Sequence, residues 1–307
     1  MPRQNIFRFI GKEEEFTADG VSPTDIIIPI MGATGSGKST FIRELLEENA
    51  CKKPDTSVSI NSCTKKVDHY IITPSESLSA KLKLEDRRVV LVDTPGFDDS
   101  QVTWLATSYS QHMKVAGVIY MYPIFGGRFS HSDQTNVSIF KKMCGLNAMP
   151  RVTIATSKWD VGKLDSLETR EKELKEKLRE MIERGACTAR FAQSTDTDPG
   201  QYPGPNYTAS GVLEEVLERL IAREKSQSEF DDMVLSLQDQ IVNKGKDLPK
   251  TDAARELKKK LKELIKEYKT SGDTKLVRTK ARDIIAQLDN LKVSVFDRFL
   301  DFFGLER

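Results

Sequence analysis

Residues 32–39 read Gly-Ala-Thr-Gly-Ser-Gly-Lys-Ser, a glycine-rich stretch with the spacing Gly-x-x-x-x-Gly-Lys-Ser. Gly32, Gly35 and Gly37 let the backbone turn tightly, so that consecutive N–H groups can face phosphate oxygens. Lys38 offers a flexible cation for terminal phosphates, and the Ser39 hydroxyl is a hard ligand suited to Mg²⁺. Thr34, Ser36 and Thr40 complete the stretch that would surround the phosphates. The flanks make the pattern specific. An apolar run at 26–31 leads in, and Phe41, Ile42, Leu45 and Leu46 follow at helical spacing. Strand, glycine loop and helix in that order form a phosphate cradle, to which the helix N-terminus adds its partial positive charge. The stretch implies a nucleotide.

Two further stretches could complete such a site. A buried strand at 88–92 delivers Asp93-Thr94-Pro95-Gly96, a carboxylate beside the metal and a glycine whose N–H can meet a γ-phosphate. A strand at 151–156 delivers Ser157-Lys158-Trp159-Asp160. A carboxylate at 160 can accept from both the ring N–H and the exocyclic amine of guanine, and adenine offers no such donor pair. The Lys158 stem can lie over the base plane. Between the first two stretches, Thr56, Ser57, Ser59, Ser62 and Thr64 supply five hydroxyls, any of which could reach a metal.

The elements that must position these groups follow from hydrophobic periodicity. Extended runs at 67–73, 88–92, 114–123, 151–156 and 188–193 alternate with helical patterns at 133–143, 168–184 and 211–223. That order predicts an α/β fold, a three-layer domain with a mostly parallel sheet covered on both faces. Pro29 conflicts with a central strand, because it removes a ladder donor, and predicts a bulge or an unpaired position. Residues 196–210, dense in Pro, Gly and polar side chains, predict a loop. Beyond 225 the pattern turns wholly helical, with Leu257, Leu261, Leu264, Ile265 and Tyr268 in one stripe and Ala281, Ile284, Leu288 and Leu291 in another. The expected divisions are a leader over 1–24, a nucleotide domain over 25–225 and a helical hairpin or coiled-coil appendage over 226–307.

The chain has 307 residues, 30% of them charged, with a net charge of +1, so no global basic field points to nucleic acid. The four cysteines are scattered without metal-ligand spacing, which predicts reduced thiols in a cytoplasmic protein rather than zinc or disulfides. Residues 1–9 lack the apolar core of a signal peptide, and no run is long enough to span a membrane. Residues 246–282 carry 13 Lys/Arg against 6 Asp/Glu, just ahead of a Phe-rich tail at 293–305. Wound as a helix, the tail puts Phe296, Phe299, Leu300 and Phe303 on one face. Packing as core is the favoured reading, and anchoring to a membrane surface or a partner helix is the rival.

Taken together, Gly32–Ser39, Asp93–Gly96 and Ser157–Asp160 resemble the G-domain GTPases, over about residues 24–225. The likeness points to the septin-like branch with the immunity-associated and chloroplast-import GTPases, and to fungal G-domain proteins. Asp93-Thr94-Pro95-Gly96-Phe97-Asp98-Asp99, Ser62-Cys63-Thr64 and Gly127-Arg128-Phe129-Ser130 carry that finer resemblance. It implies that Thr64 is the switch threonine, ligating Mg²⁺ with Ser39 and Asp93, and that Lys38, Thr64 and Gly96 serve hydrolysis. It also implies binding of GTP and GDP with slow turnover, in a homodimer or oligomer, with the C-terminal helices open to a protein partner. The alternative is a nucleotide-stabilised scaffold or filament with negligible turnover. Three departures stand out. Ser157 takes a place where Asn or Thr is usual and so bears on one loop-bracing contact. No Ser-Ala element follows Phe191, leaving the last base contact unplaced. Phe97 stands where Ras-like enzymes carry a water-orienting glutamine, so hydrolysis is slow or the missing group comes from a second copy, with Arg128 a candidate for charge at such an interface.

Overall fold

The computed structural model describes residues 7–13, 24–46, 68–84, 87–94, 115–125, 129–192, 207–226, 239–246 and 250–271, with single positions at 22, 236, 281, 284 and 285. The chain divides into two compact units. The first draws on Met1–Gly96, Gln111–Gly126 and Asn147–Val234, the second on Phe97–Ser110, Gly127–Leu146 and Leu235–Arg307.

The first unit opens with β1 (Phe7–Glu13), β2 (Ile26–Met31), α1 (Lys38–Leu45), β3 (Asp68–Pro74), α2 (Glu76–Leu82), β4 (Val89–Asp93) and β5 (Val118–Pro123). Helix α3 (His131–Cys144) belongs to the second unit. The chain then returns to the first with β6 (Val152–Ser157), α4 (Leu164–Lys177), α5 (Arg179–Glu183), β7 (Cys187–Arg190) and α6 (Ala209–Ser226), and ends its described helices with α7 (Asp252–Ser271) in the second.

Seven strands form one sheet in the order β1-β3-β4-β2-β5-β6-β7. Only β3 runs against its neighbours; β4, β2, β5, β6 and β7 are parallel throughout. The expected α/β architecture with a mostly parallel sheet is therefore present. Strands β2, β4 and β6 are buried at every position, which is why β2 and β4 read as nearly continuous apolar runs rather than alternating ones; β6 instead buries Thr153, Thr156 and Ser157 among its apolar residues. On one face Ile28, Ile30 and Leu91 pack with Phe41 of α1 and with Leu213 and Leu217 of α6. Each such side chain contributes ~1.5–3 kcal/mol by leaving water.

Pro29 is accommodated by an irregularity in the sheet. Ile26 donates to Arg88 on the β4 side, while Ile27 accepts from Ala116 on the other, so strand alternation turns position 29 toward β5. There the pairing skips. A bridge joins Ile27 to Val115, and the ladder resumes at Ile30 opposite Ile119, three steps on one strand against four on the other. The missing donor falls within that bulge.

Three local features depart from the expected element order. Within the leader, β1 lies antiparallel on β3 and extends the sheet. Helix α2 was not expected; Ser75 caps it by accepting from the Leu78 N–H at 3.3 Å, and Leu78 and Leu82 bury its inner face. The single helix expected over 168–184 starts earlier and is broken at the buried Leu178 into α4 and α5. Residues 95–114, between β4 and β5, and the 293–305 tail lie outside the described residues.

In the second unit, α3 begins with a capping box. The Ser130 hydroxyl accepts from the Asp133 N–H at 3.1 Å, and the Asp133 carboxylate accepts from the Ser130 N–H at 2.7 Å. Helix α7 is capped by the fully buried Thr251 and presents Leu257, Leu261 and Leu264 inward, as their spacing predicts. The two helices pack on each other and are pinned by Ser138 donating to Glu256 at 2.9 Å. Lys260 reaches the same helix at Thr135, 3.4 Å away, and burial lowers its pKa from the ordinary lysine range. Among the described residues no helix is long and apolar enough to cross a membrane.

Candidate functional site

Strands β2, β4, β5 and β6 run parallel, so their C-terminal ends share one edge of the first unit, the place where open α/β sheets bind ligands. The glycine loop leaves the end of β2. Gly32 adopts φ +142°, and a Cβ there would sit 2.4 Å from the Met121 carbonyl oxygen of β5, so only hydrogen fits. Gly37 at φ +94° turns the chain into α1, whose first turn carries Lys38 and Ser39. Lys38 is only 7% exposed, and its ammonium donates to the carbonyls of Gly32 and Ala33 at 2.9 and 3.1 Å. The cation is thereby fixed against the loop itself. Thr34 is exposed, Thr40 half-buried and Ser36 fully buried; the Ser36 hydroxyl has no hydrogen-bond partner among the described residues.

Asp93 ends β4, directly beside Ile30 in the register, and the Ser39 hydroxyl donates to its Oδ2 at 2.7 Å. Residues 54 positions apart thus meet at the head of α1. Thr94 ties the end of β4 to β2 by donating to the Ile30 carbonyl at 2.6 Å. A hydroxyl and a carboxylate in contact are hard oxygen donors and fit Mg²⁺, which binds to one or two carboxylates and keeps water and phosphate oxygens for its other positions. Among the described residues no group of three or more His, Cys, Asp or Glu could hold a metal alone, so these two oxygens need ligands of that further kind.

The end of β6 brings the third stretch to the same edge. Ser157 donates to the Ser36 carbonyl at 2.7 Å, so serine makes a contact that braces the glycine loop. Lys158 takes the left-handed conformation, φ 63° and ψ 39°, which turns the chain sharply and leaves its side chain exposed. Trp159 is fully buried, and Asp160 is half-buried beyond it. Gly32, Ser36, Lys38, Ser39, Asp93 and Ser157 are thus joined by direct hydrogen bonds or close contacts, whereas Lys158 and Asp160 adjoin through the chain. Thr64, Gly96, Phe97 and Arg128 lie outside the described residues.

Composition and spacing gave no hint of the cluster behind Trp159. Arg190, at the end of β7, stacks its guanidinium 4.3 Å from the Trp159 ring centroid. It donates twice to the buried Glu171 of α4, at 3.0 and 2.6 Å, and also to Glu168 and to the Tyr207 hydroxyl. Burial pushes the Glu171 carboxyl up, but the hydrogen bonds and charges of Arg190 and Lys175 outweigh it and hold the group below the usual carboxylate range. Glu171 in turn holds the guanidinium above its ordinary pKa. No short motif links positions 19 and 17 residues apart, so only the folded chain reveals them.

Residues 27–156 match a protein-family model described as 50S ribosome-binding GTPase. No curated protein matches the chain. Among solved structures, Toc33 from Arabidopsis thaliana in complex with GDP and Mg²⁺ is 12% identical, over 66% of this chain and 86% of that one, with a TM-score of 0.46. The chloroplast translocon components atToc33 and psToc159, for whose GTPase activity dimerization is important, give 10% identity over 69% of this chain and 87% of that one, at 0.45. A bacterial selenocysteine-specific elongation factor, EF-Sec, is 14% identical over 67% of this chain but only 30% of its own, at 0.43. Residues 27–156 thus match a GTPase family model, and the glycine loop, the strand-end aspartate and the sheet order together make a P-loop GTPase fold.

Proposed function

We propose that this chain binds GTP and GDP with Mg²⁺, hydrolyses GTP slowly to GDP and phosphate, and acts as a nucleotide-controlled switch of the septin-like kind. The observation that carries the proposal is the convergence of Lys38, Ser39 and Asp93 on one glycine loop, braced by the strand end that leads to Lys158 and Asp160. In this reading the loop N–H groups and Lys38 hold the phosphates, and Gly32, Thr34, Gly35, Ser36, Gly37 and Thr40 line them. Ser39, Asp93 and Thr64 would hold Mg²⁺, which when bound would neutralise phosphate charge. Ser157, Lys158 and Asp160 read guanine, and Gly96 offers its N–H to the γ-phosphate.

Slow turnover follows from Phe97, since a phenyl ring can neither orient nor polarise a water. A second copy of the chain supplying the missing group, with Arg128 at the interface, raises the rate in a homodimer. The first test is identification of the nucleotide extracted from purified protein: guanine nucleotide supports the proposal, and adenine nucleotide refutes it. The second is single-turnover hydrolysis across a hundredfold range of protein concentration. A rate per molecule that rises supports trans-activation, a flat slow rate supports an unassisted switch, and no turnover at any concentration replaces the switch with a nucleotide-stabilised scaffold.

A further inference from the structure

The base-reading residues Lys158 and Asp160 stand on either side of a tryptophan that is wholly out of solvent. What fixes that indole fixes the directions of its two neighbours. Its ring N–H donates to Thr156 Oγ1 at 3.0 Å, and that hydroxyl donates on to the Ala189 carbonyl of β7 at 3.1 Å. Its face receives the Arg190 guanidinium, and its edge meets the Tyr207 ring at 84°, with centroids 6.1 Å apart. Arg190 itself has little freedom. Its fork is bidentate on Glu171, a carboxylate only 4% exposed, and a third nitrogen contact joins Glu168 and Tyr207.

The same arginine also orders the segment that follows β7. Phe191 donates to the Thr156 carbonyl at 2.7 Å, and Ala192 donates to the Tyr207 carbonyl at 2.9 Å. Tyr207 is therefore bound at its backbone to residue 192 and at its hydroxyl to Arg190. The loop after β6 and the segment after β7 approach the same edge of the sheet and are held by one cation.

We infer that Arg190 is a positioning residue for base recognition: clamped by Glu171, it holds Trp159, and through it Lys158 and Asp160, in the geometry that selects guanine. The inference rests on the proposed reading of guanine by Asp160. A guanidinium over a desolvated indole, tied to a buried carboxylate, is an attractive contact that neither lysine nor methionine reproduces in full.

The test uses the full chain with Trp104→Phe, so that Trp159 is the sole tryptophan reporter. GDP and ADP affinities are measured for this parent and for Arg190→Met, Arg190→Lys and Tyr207→Phe. Arg190→Met should cut the GDP-over-ADP preference about tenfold, equivalent to about 1.4 kcal/mol, by weakening GDP alone. Trp159 emission should shift red and become quenchable by acrylamide. Arg190→Lys should recover part of the preference, because a cation returns without the fork. Should Arg190→Met fail to fold, Tyr207→Phe, which removes a single hydroxyl, should still reduce the preference about twofold. A folded Arg190→Met, or in its place Tyr207→Phe, with parental preference overturns this inference alone. A parent that binds GDP and ADP equally overturns the base reading, and this inference with it.

Discussion

The two loops at the strand ends are held in different ways. The glycine loop is shaped by backbone: a positive φ at Gly32, a carbonyl of β5 pressed against its Cα, and a lysine folded onto the loop's own carbonyls. The loop after β6 is shaped by side chains: its own indole, and an arginine, a carboxylate and a phenol brought from β7, α4 and the segment before α6. A backbone-built loop is damaged by adding atoms, and a side-chain-built loop by removing them.

Gly32→Ala should have the largest effect. Its new Cβ would lie 2.4 Å from a backbone oxygen that cannot move without shifting β5, so both nucleotide binding and the cooperative melt should be lost. Retained binding would show that the loop has slack. Lys38→Ala should weaken GTP binding about a hundredfold while leaving the fold intact, since a charge-assisted contact is worth ~1.5–3 kcal/mol; titration with a fluorescent analogue measures it. Asp160→Asn should exchange GTP preference for XTP preference, because an amide can donate to the carbonyl that replaces the exocyclic amine. A variant still preferring GTP would remove Asp160 from base recognition.

Smaller effects sharpen the contrast. Ser157→Ala removes the donor to the Ser36 carbonyl, and should lower GTP and GDP affinity alike by about fivefold, the worth of roughly 1 kcal/mol. Glu171→Gln should alter acid stability. The carboxyl titrates lower in the folded chain than its ordinary value of 4.5, so its contribution is present above that pH and disappears as pH falls through the folded value. Thermal melts between pH 6 and about 3 should therefore fall less steeply in the variant than in the parent.

The same contrast explains how much could be read in advance. The glycine loop is legible because eight contiguous residues carry its chemistry, and Asp93 is legible because a run of four apolar residues delivers it. The fold class follows from the alternation of apolar runs with helical stripes. Arg190 was invisible because its importance depends on partners from separate elements. Strand β1 escaped notice because its register shifts between Phe9 and Gly11, which destroys the two-residue alternation that marks a strand. Helix α2 was missed although Ser75 and the pair Leu78 and Leu82 signalled it; seven residues are too few for periodicity to stand out. Pro29 predicted a bulge or an unpaired position, and a bulge is found.

The pairing of α3 with α7 bears on synthesis. Ser138 must wait 118 residues for Glu256 to emerge, and until then the face of α3 that carries Thr135 and Ser138 stays without α7. Among the described residues every strand of the sheet, by contrast, has been made by residue 190. A chain growing from its N-terminus can close the sheet with the second unit still incomplete, and long-range contacts of this kind form late. A pause in synthesis between residues 190 and 256 would therefore leave all the described strands made and α3 still without α7.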